Sequence, residues 1–223
     1  MKFLAGLIMI FPLIQSHAQS AEELIQKVKA KLEKVNNYEA GAKLKTNVSF
    51  IKAPIANVKI FYTKPDKLKI INKNGISFIP KGAININLGS VIVNNKNFDL
   101  IDAGKDDKGL RIIKLLPKDD TADVVLSTLY IDEKNLLIKR SKTTTKENGT
   151  YELEMTYGKY SDYGLPDKIV FSFNTKEYKL PKGVTLDYDN GKKKNEEKLK
   201  NKKGTIEISY ANYIINKGAA TMN

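Results

Sequence analysis

Few residues in this chain have the types and spacing that catalysis requires. Ser49 and Lys52 have the Ser-x-x-Lys spacing of a nucleophile and its base, but that pair works on a helix, where one turn brings the lysine under the serine. The residues around them alternate between apolar and polar, which predicts a strand with the two side chains on opposite faces. The spacing therefore does not indicate a nucleophilic site.

The acidic residues give a similarly weak signal for metal binding or hydrolysis. Segment 187–191 (Asp-Tyr-Asp-Asn-Gly) resembles part of a calcium loop, but its glycine stands at the fifth position instead of the sixth, which favours an ordinary turn. Asp106 with Asp107, and Asp119 with Asp120, fall in predicted turns, where we expect them to be solvated. A hydrolase that uses only carboxylates, paired across strands, stays open as a third alternative.

The first eighteen residues have the features of a secretory signal peptide. A basic residue precedes an apolar stretch at 3–14, and Ser16-His17-Ala18 fits the small-x-small pattern of a cleavage site. The apolar stretch is shorter than the roughly 20 residues that span a bilayer. We therefore expect a signal peptide over 1–18 and one exported domain over 19–223.

Export would leave a chain that lacks most catalytic side chains. The sequence has no cysteine, and its only histidine, His17, lies in the predicted leader. Such a protein has no thiol nucleophile, no soft metal ligand and no side chain that ordinarily titrates near neutral pH. We expect no enzyme activity, no catalytic residue, no cofactor and no metal.

The basic net charge limits the classes of partner that this protein could bind. The formal net charge of +13 would suggest nucleic acid in a cytoplasmic protein, but export argues against that partner. Anionic membrane surfaces, acidic headgroups or glycans fit better, and a merely solvated lysine-rich surface is the alternative. Without cysteine there is no disulfide and no lipid anchor beside the leader, which together with the compact leader favours the periplasm, with an extracellular location as the alternative. We expect a monomer.

One helix is predicted near the start of the exported domain. Ser20 and Glu23 form a capping box, and the apolar residues that follow repeat at helical spacing until Asn36 and Asn37. The apolar stripe is narrow, which indicates that the helix covers a sheet or groove and is not buried on all sides.

The rest of the chain predicts strands. Alternation with period two begins at Tyr38 and recurs to the last strong strand around Ile208, with turns at hairpin spacing, among them Asn148-Gly149. Only residues 76–93 are ambiguous between short strands and a loop with a helical turn. About eleven strands and one helix indicate a mainly β protein whose antiparallel sheet curls into a barrel or half-barrel.

The sheet has more apolar surface than the helix can cover. A helix from Ala21 to Val35 would be roughly 22 Å long. Either the sheet closes around a packed core, or it leaves a cavity for an apolar ligand. Both alternatives stay open on these grounds.

Several segments, taken in order, resemble the periplasmic outer-membrane lipoprotein carriers of the Lol type, in the lipoprotein-sorting superfamily. The resemblance covers most of the exported domain, and the order of elements carries more of it than any one string. The matching segments are 32–38 (Leu-Glu-Lys-Val-Asn-Asn-Tyr), 58–69 with its Lys-Pro-Asp-Lys turn, 129–132, 148–150, 164–168 (Gly-Leu-Pro-Asp-Lys) and 208–213.

The resemblance implies an incomplete antiparallel β-barrel with a helical lid over a hydrophobic cavity. It also implies a function: an exported binding protein that holds acyl chains of lipoproteins or other lipids and carries them between membranes, with transient contact to a membrane or membrane protein. A periplasmic sensor or interaction module on the same fold is the alternative. The chain differs from the family in Leu68 and Ile70, where the family has aromatic residues, and in the lysine-rich loop 192–203.

Alternation, combined with the resemblance, predicts the residues that line this cavity. Lys64 stands where the family has an arginine, although lysine cannot make a planar bidentate contact. We expect it at the rim, either binding a lipid headgroup or holding the lid through backbone carbonyls, unless it is a solvated turn lysine. The predicted lining residues are Val58, Ile60, Tyr62, Leu68, Ile70, Ile169, Phe171, Phe173, Ile206, Ile208 and Tyr210.

Overall fold

The computed structural model describes residues 19–47, 55–65, 67–72, 97–147, 149–174 and 203–217. Several predictions lie outside these residues. They concern the signal peptide at 1–18, Ser49 with Lys52, the ambiguous stretch 76–93, Asn148, segment 187–191, and all but the last residue of the loop 192–203.

The predicted helix is present and shorter than expected. Helix α1 spans Ala21–Leu32, and the hydroxyl oxygen of Ser20 accepts a hydrogen bond from the backbone amide of Glu23 at 3.1 Å. The Glu23 carboxylate contacts the ammonium of Lys27 at 2.7 Å. The helix ends before Asn36 because the chain tightens after Leu32, where the Val35 amide donates to the Leu32 carbonyl.

Ten strands form one antiparallel sheet within the described residues, against about eleven predicted. Their order is β3-β2-β1-β10-β9-β8-β7-β6-β5-β4, so every sequence neighbour pairs except β3 and β4. The strands are β1 (Asn37–Asn47), β2 (Ala56–Thr63), β3 (Lys67–Asn72), β4 (Phe98–Lys105), β5 (Arg111–Pro117), β6 (Val124–Asp132), β7 (Leu137–Thr145), β8 (Gly149–Thr156), β9 (Lys168–Asn174) and β10 (Lys203–Ile215).

The sheet is open, with β3 and β4 as its two edges. Pairing of β1 with β10 joins the two ends of the described chain, with Tyr38 opposite Ile215 and Leu44 opposite Ile208. Edge strands β3 and β4 both contribute side chains to the same core. The mainly β class and the incomplete antiparallel barrel predicted from the sequence are therefore confirmed.

The hairpins of the second half are confirmed, with one local difference. Strands β7 and β8 pair on either side of the predicted turn, and Gly149 has a φ of +71°. Alternation predicted a strand as far as Tyr160, whereas β8 ends at Thr156 and a short 3-10 turn occupies Ser161–Tyr163. That turn ends at Gly164, whose φ of +67° suits glycine.

The inner face of the sheet packs into two apolar clusters. We call the larger one, under helix α1, the main core; its buried strand residues come from β1, β2 and β5 to β10, and half-buried side chains of β3 and β4 pack against them. We call the smaller one the tyrosine cluster. It consists of Val35, Ala40, Leu165 and Tyr213 with the half-buried Tyr38, Tyr62, Tyr160, Tyr210 and Ile215 packed against them. None of the helices within the described ranges has the length and apolar character that crossing a membrane would require.

Candidate functional site

The structure brings all the predicted lining residues except Tyr62 to the main core. Ile60 pairs with Ile70 and Tyr62 with Leu68, as the alternation predicted for β2 and β3. Their role in ligand binding stays a prediction. Buried in the main core are Val58, Ile60, Ile169, Phe171, Phe173, Ile206 and Ile208; half-buried against it are Leu68, Ile70 and Tyr210.

Phe171 lies at the centre of this inner face. It stands between Leu153 of β8 and Ile206 of β10, and it is fully buried. Its ring centroid is 5.4 Å from that of Tyr151 and 5.3 Å from that of Phe173. These separations are typical of favourable aromatic pairs, so the three rings form one apolar surface across strands β8 and β9.

Tyr62 lies in the tyrosine cluster instead. Its ring is 5.2 Å from that of Tyr38, and its hydroxyl donates to the carbonyl of Pro65 at 3.3 Å. The tyrosine cluster packs beside the chain that leaves helix α1, because Val35 is part of it. The geometry therefore gives Tyr62 a place at one end of the inner face, beyond the main core.

Tyr213 holds the tyrosine cluster together. Its ring lies 5.1 Å from Tyr38, 5.0 Å from Tyr160 and 5.0 Å from Tyr210, and its hydroxyl donates to the Pro166 carbonyl at 2.7 Å. Burial raises the pKa of Tyr213 above its ordinary range, and the neighbouring tyrosines raise it further. The Tyr213 phenol therefore stays neutral at physiological pH.

Lys64 touches the end of helix α1. Its ammonium donates to the carbonyl of Glu33, the C-cap residue, at 2.5 Å, and its backbone amide donates to the Asn36 carbonyl at 2.9 Å. A cation at this end complements the partial negative charge of the helix C-terminus. Of the two roles expected for Lys64, the geometry matches the contact with backbone carbonyls.

Asn216 is a residue of this region that sequence reasoning missed. Its side-chain oxygen accepts from the amide of Asn36 at 2.7 Å, and its side-chain nitrogen donates to the Lys34 carbonyl at 2.7 Å. Its φ of +54° is one that asparagine tolerates better than most residues. The sequence does show an asparagine just after the last strand. Its hydrogen-bond partners lie some 180 positions away in the chain, so no local pattern could identify them.

Sequence reasoning also missed a group of hydroxyl side chains on the inner face. Ser127 of β6 and Thr143 of β7 are opposite each other, and their side-chain oxygens are 2.8 Å apart. Tyr151 of β8 is opposite Thr143 and bonds to it. We call Ser127, Thr143 and Tyr151 the hydroxyl row. The available signal was the run of hydroxyl residues at every second position of β7, namely Ser141, Thr143 and Thr145.

The acidic turns have structural partners. Asp106 accepts the amides of Lys108 and Leu110, both at 2.9 Å. Bonds from the hydroxyl and the amide of Thr121 hold the pKa of Asp119 below its ordinary value. Across the ranges the structure describes, no group of three or more potential ligands could hold a metal ion.

Comparison with known proteins gives matches in structure only. No protein-family model matches the sequence, and a search of curated proteins finds no match. A domain from Vibrio parahaemolyticus described as an outer membrane lipoprotein-sorting protein aligns with a TM-score of 0.54 and 8% identity, covering 90% of this chain and 94% of that chain. This chain has the lipoprotein-sorting fold.

Two further structures align with it. A DUF1329 family protein from Desulfovibrio piger has a TM-score of 0.52 and 12% identity, over 89% of this chain and 93% of that one. A LolA superfamily protein from Nitrosomonas europaea has a TM-score of 0.49 and 8% identity, over 87% of this chain and 94% of that one. At such low identity the first two matches establish the lipoprotein-sorting fold and do not assign an activity, so the resemblance inferred from the sequence is confirmed at the level of fold.

Proposed function

We propose that this protein is an exported carrier that holds acyl chains of lipoproteins or other lipids and moves them between membranes. The observation that carries the proposal is the extended, largely apolar inner face of an open sheet, covered within the described residues by a helix of only 12 residues. The proposal includes a signal peptide at 1–18, a monomeric domain at 19–223 in the periplasm, contact with membranes but not nucleic acid, and no catalysis.

The edges of the sheet are the place where an acyl chain would enter. The centre of the main core is closed to solvent, since Ile60, Phe171 and Ile131 are at most 1% exposed. The inward side chains of both edge strands are only half-buried: Leu68 and Ile70 on β3, and Phe98 and Leu100 on β4. A methylene that leaves water here gains about 0.8 kcal/mol, so a long chain binds tightly.

Neighbouring isoleucines on β3 allow a matched test of this proposal. Ile70 faces the main core, whereas Ile71 is 41% exposed on the opposite face. Ile70→Asp puts a carboxylate where the acyl chain would lie, and desolvating that charge is costly. We expect wild-type protein purified from cell envelopes to carry acyl lipid in native mass spectrometry, and Ile70→Asp to carry at least about tenfold less.

Ile71→Asp is the control, because it makes the same change on the same edge strand and should load like wild type. Circular dichroism confirms that both variants are folded. The proposal fails if wild-type protein carries no acyl chain, or if both variants load equally well.

Lys64→Met tests the contact between the β2–β3 turn and helix α1. The variant keeps the apolar length of the side chain and removes its bond to the Glu33 carbonyl. We expect weaker loading or slower release of lipid to acceptor vesicles, with a stability change of about 1 kcal/mol or less, since the bond is exposed to solvent. Lys67→Met, at the other side of the turn, is the control. Transfer by Lys64→Met at the wild-type rate would mean that Lys64 has no part in transport.

A further inference from the structure

Ser141 is a buried hydroxyl without a partner on the inner face of the sheet. It is 2% exposed, and no described residue bonds its side-chain oxygen. It stands on β7 directly opposite Leu129 of β6 and Leu153 of β8, both buried in the main core. Because residues opposite each other in an antiparallel sheet share a face, its side chain points into the main core.

The hydroxyl groups beside Ser141 already have partners. In the hydroxyl row, Ser127 bonds Thr143, which also bonds Tyr151. Thr145, two residues further along β7, donates to the Gly149 carbonyl at 3.3 Å. Ser141 therefore differs from its neighbours in offering an unused donor, and an unsatisfied buried hydroxyl destabilises the protein unless something binds it.

We infer that Ser141 is a polar subsite for the carbonyl oxygen of an acyl ester or acyl amide. This inference rests on the proposed function and specifies which end of the ligand lies in the main core. An ester or amide carbonyl accepts one hydrogen bond from Ser141 while its alkyl chain lies along the apolar side chains of the neighbouring strands. An ester satisfies the orphan donor without adding a donor of its own, whereas an amide also brings an N–H that needs an acceptor.

The surroundings favour a neutral carbonyl over a free carboxylate. The buried polar side chains of the described residues are all hydroxyls: Ser127, Thr128, Ser141, Thr143, Thr145 and Ser172. A carboxylate in such a place would have no buried cation to balance it, and burying an unpaired charge costs far more than burying a neutral polar group. The subsite therefore selects acylated molecules over free fatty acids.

The test compares four probes of equal chain length on folded, delipidated protein. Methyl palmitate, palmitamide, palmitate and hexadecane each displace Nile red, a neutral dye that fluoresces in apolar sites. In Ser141→Ala the affinity for methyl palmitate relative to hexadecane should fall about fivefold, the size of one neutral hydrogen bond. If Ser141→Ala loses more affinity for palmitamide than for methyl palmitate, the subsite prefers amide-linked acyl groups; the reverse result indicates ester-linked ones. Palmitate should bind the wild-type protein more weakly than either of these two probes.

Ser172→Ala is the matched control. Ser172 is also a buried serine, 8% exposed, but it lies on the opposite face of β9 from Phe171 and Phe173. Its loss should leave the ester-to-hexadecane ratio within about twofold of wild type. The melting temperature of ligand-free Ser141→Ala should be no lower than that of wild type, because a methyl group replaces an unsatisfied hydroxyl.

Three results overturn the inference and are distinguishable from failure of the proposed function. An unchanged ester-to-hexadecane ratio in Ser141→Ala would mean that a water or another residue serves the hydroxyl. An equal fall in Ser172→Ala would show a general packing effect. A melting temperature several degrees lower in ligand-free Ser141→Ala would show that the hydroxyl already has a partner. If no probe displaces the dye from wild type, the carrier function itself fails, and the subsite with it.

Discussion

Phe171→Ala is expected to lower the free energy of unfolding by about 3–5 kcal/mol. The Phe171 side chain is 0% exposed and contacts the rings of Tyr151 and Phe173, so its removal loses both the burial of a large apolar surface and the packing around it. A domain of this size is stable by only about 5–15 kcal/mol. Such a loss should therefore lower the melting temperature by roughly 10 °C, measured by calorimetry or urea unfolding.

Phe61→Ala is the control for this effect. Phe61 lies on β2 between the inward residues Ile60 and Tyr62, so its ring is on the other face of the sheet and only half-buried. The same change in volume should cost about 1 kcal/mol there. Equal losses in the two variants would mean that Phe171 is not at the centre of the packed interior.

Above about pH 10 the protein should lose stability steeply. Burial raises the pKa of Tyr38, Tyr210 and Tyr213 above the ordinary tyrosine value of about 10. Below pH 10 these phenols are neutral in both folded and unfolded chains, so the stability that their burial contributes is fully present. Above pH 10 only the unfolded chain releases the protons, and stability falls as pH rises towards the folded pKa.

The expected slope is large because several tyrosines act together. Each phenol that ionises only on unfolding contributes about 1.4 kcal/mol per pH unit, so the three together give about 4 kcal/mol per unit. Urea unfolding at pH 9, 10, 11 and 11.5 measures the slope. Tyr210→Phe should reduce this slope by about 1.4 kcal/mol per pH unit, whatever effect the substitution has on stability at pH 9. A stability that stays flat to pH 11.5 would contradict the buried, neutral state of these phenols.

Local sequence patterns predicted the helix and strands correctly where short-range interactions determine them. The Ser20 cap begins helix α1, and the alternation along β2 and β9 puts Ile60 and Phe171 on the inner face. The end of the helix was predicted too late because Val35 continues the helical spacing. In the folded protein Val35 packs in the tyrosine cluster instead, a contact that no helical pattern contains.

The composition of the tyrosine cluster also depends on an irregularity that alternation cannot predict. Tyr210 and Tyr213 are three positions apart, which would put them on opposite faces of a regular strand. The pairing of β1 with β10 shifts register between Ala40 and Ala42, with Tyr213 opposite Ala40 and Tyr210 opposite Ala42. Both rings therefore reach the inner face, and they stack 5.0 Å apart.

The sequence by itself determined the class of fold, the inward residues of regular strands such as β2 and β9, and the scarcity of catalytic groups, because cap, alternation and composition are properties of short segments. Only the tertiary structure decided which strands are neighbours. That pairing brings Asn216 to the end of helix α1, Lys64 to the Glu33 carbonyl, and Ser141 between two leucines without a partner. These contacts join residues far apart in the chain, and their energies depend on register and burial, which exist only once the sheet has formed.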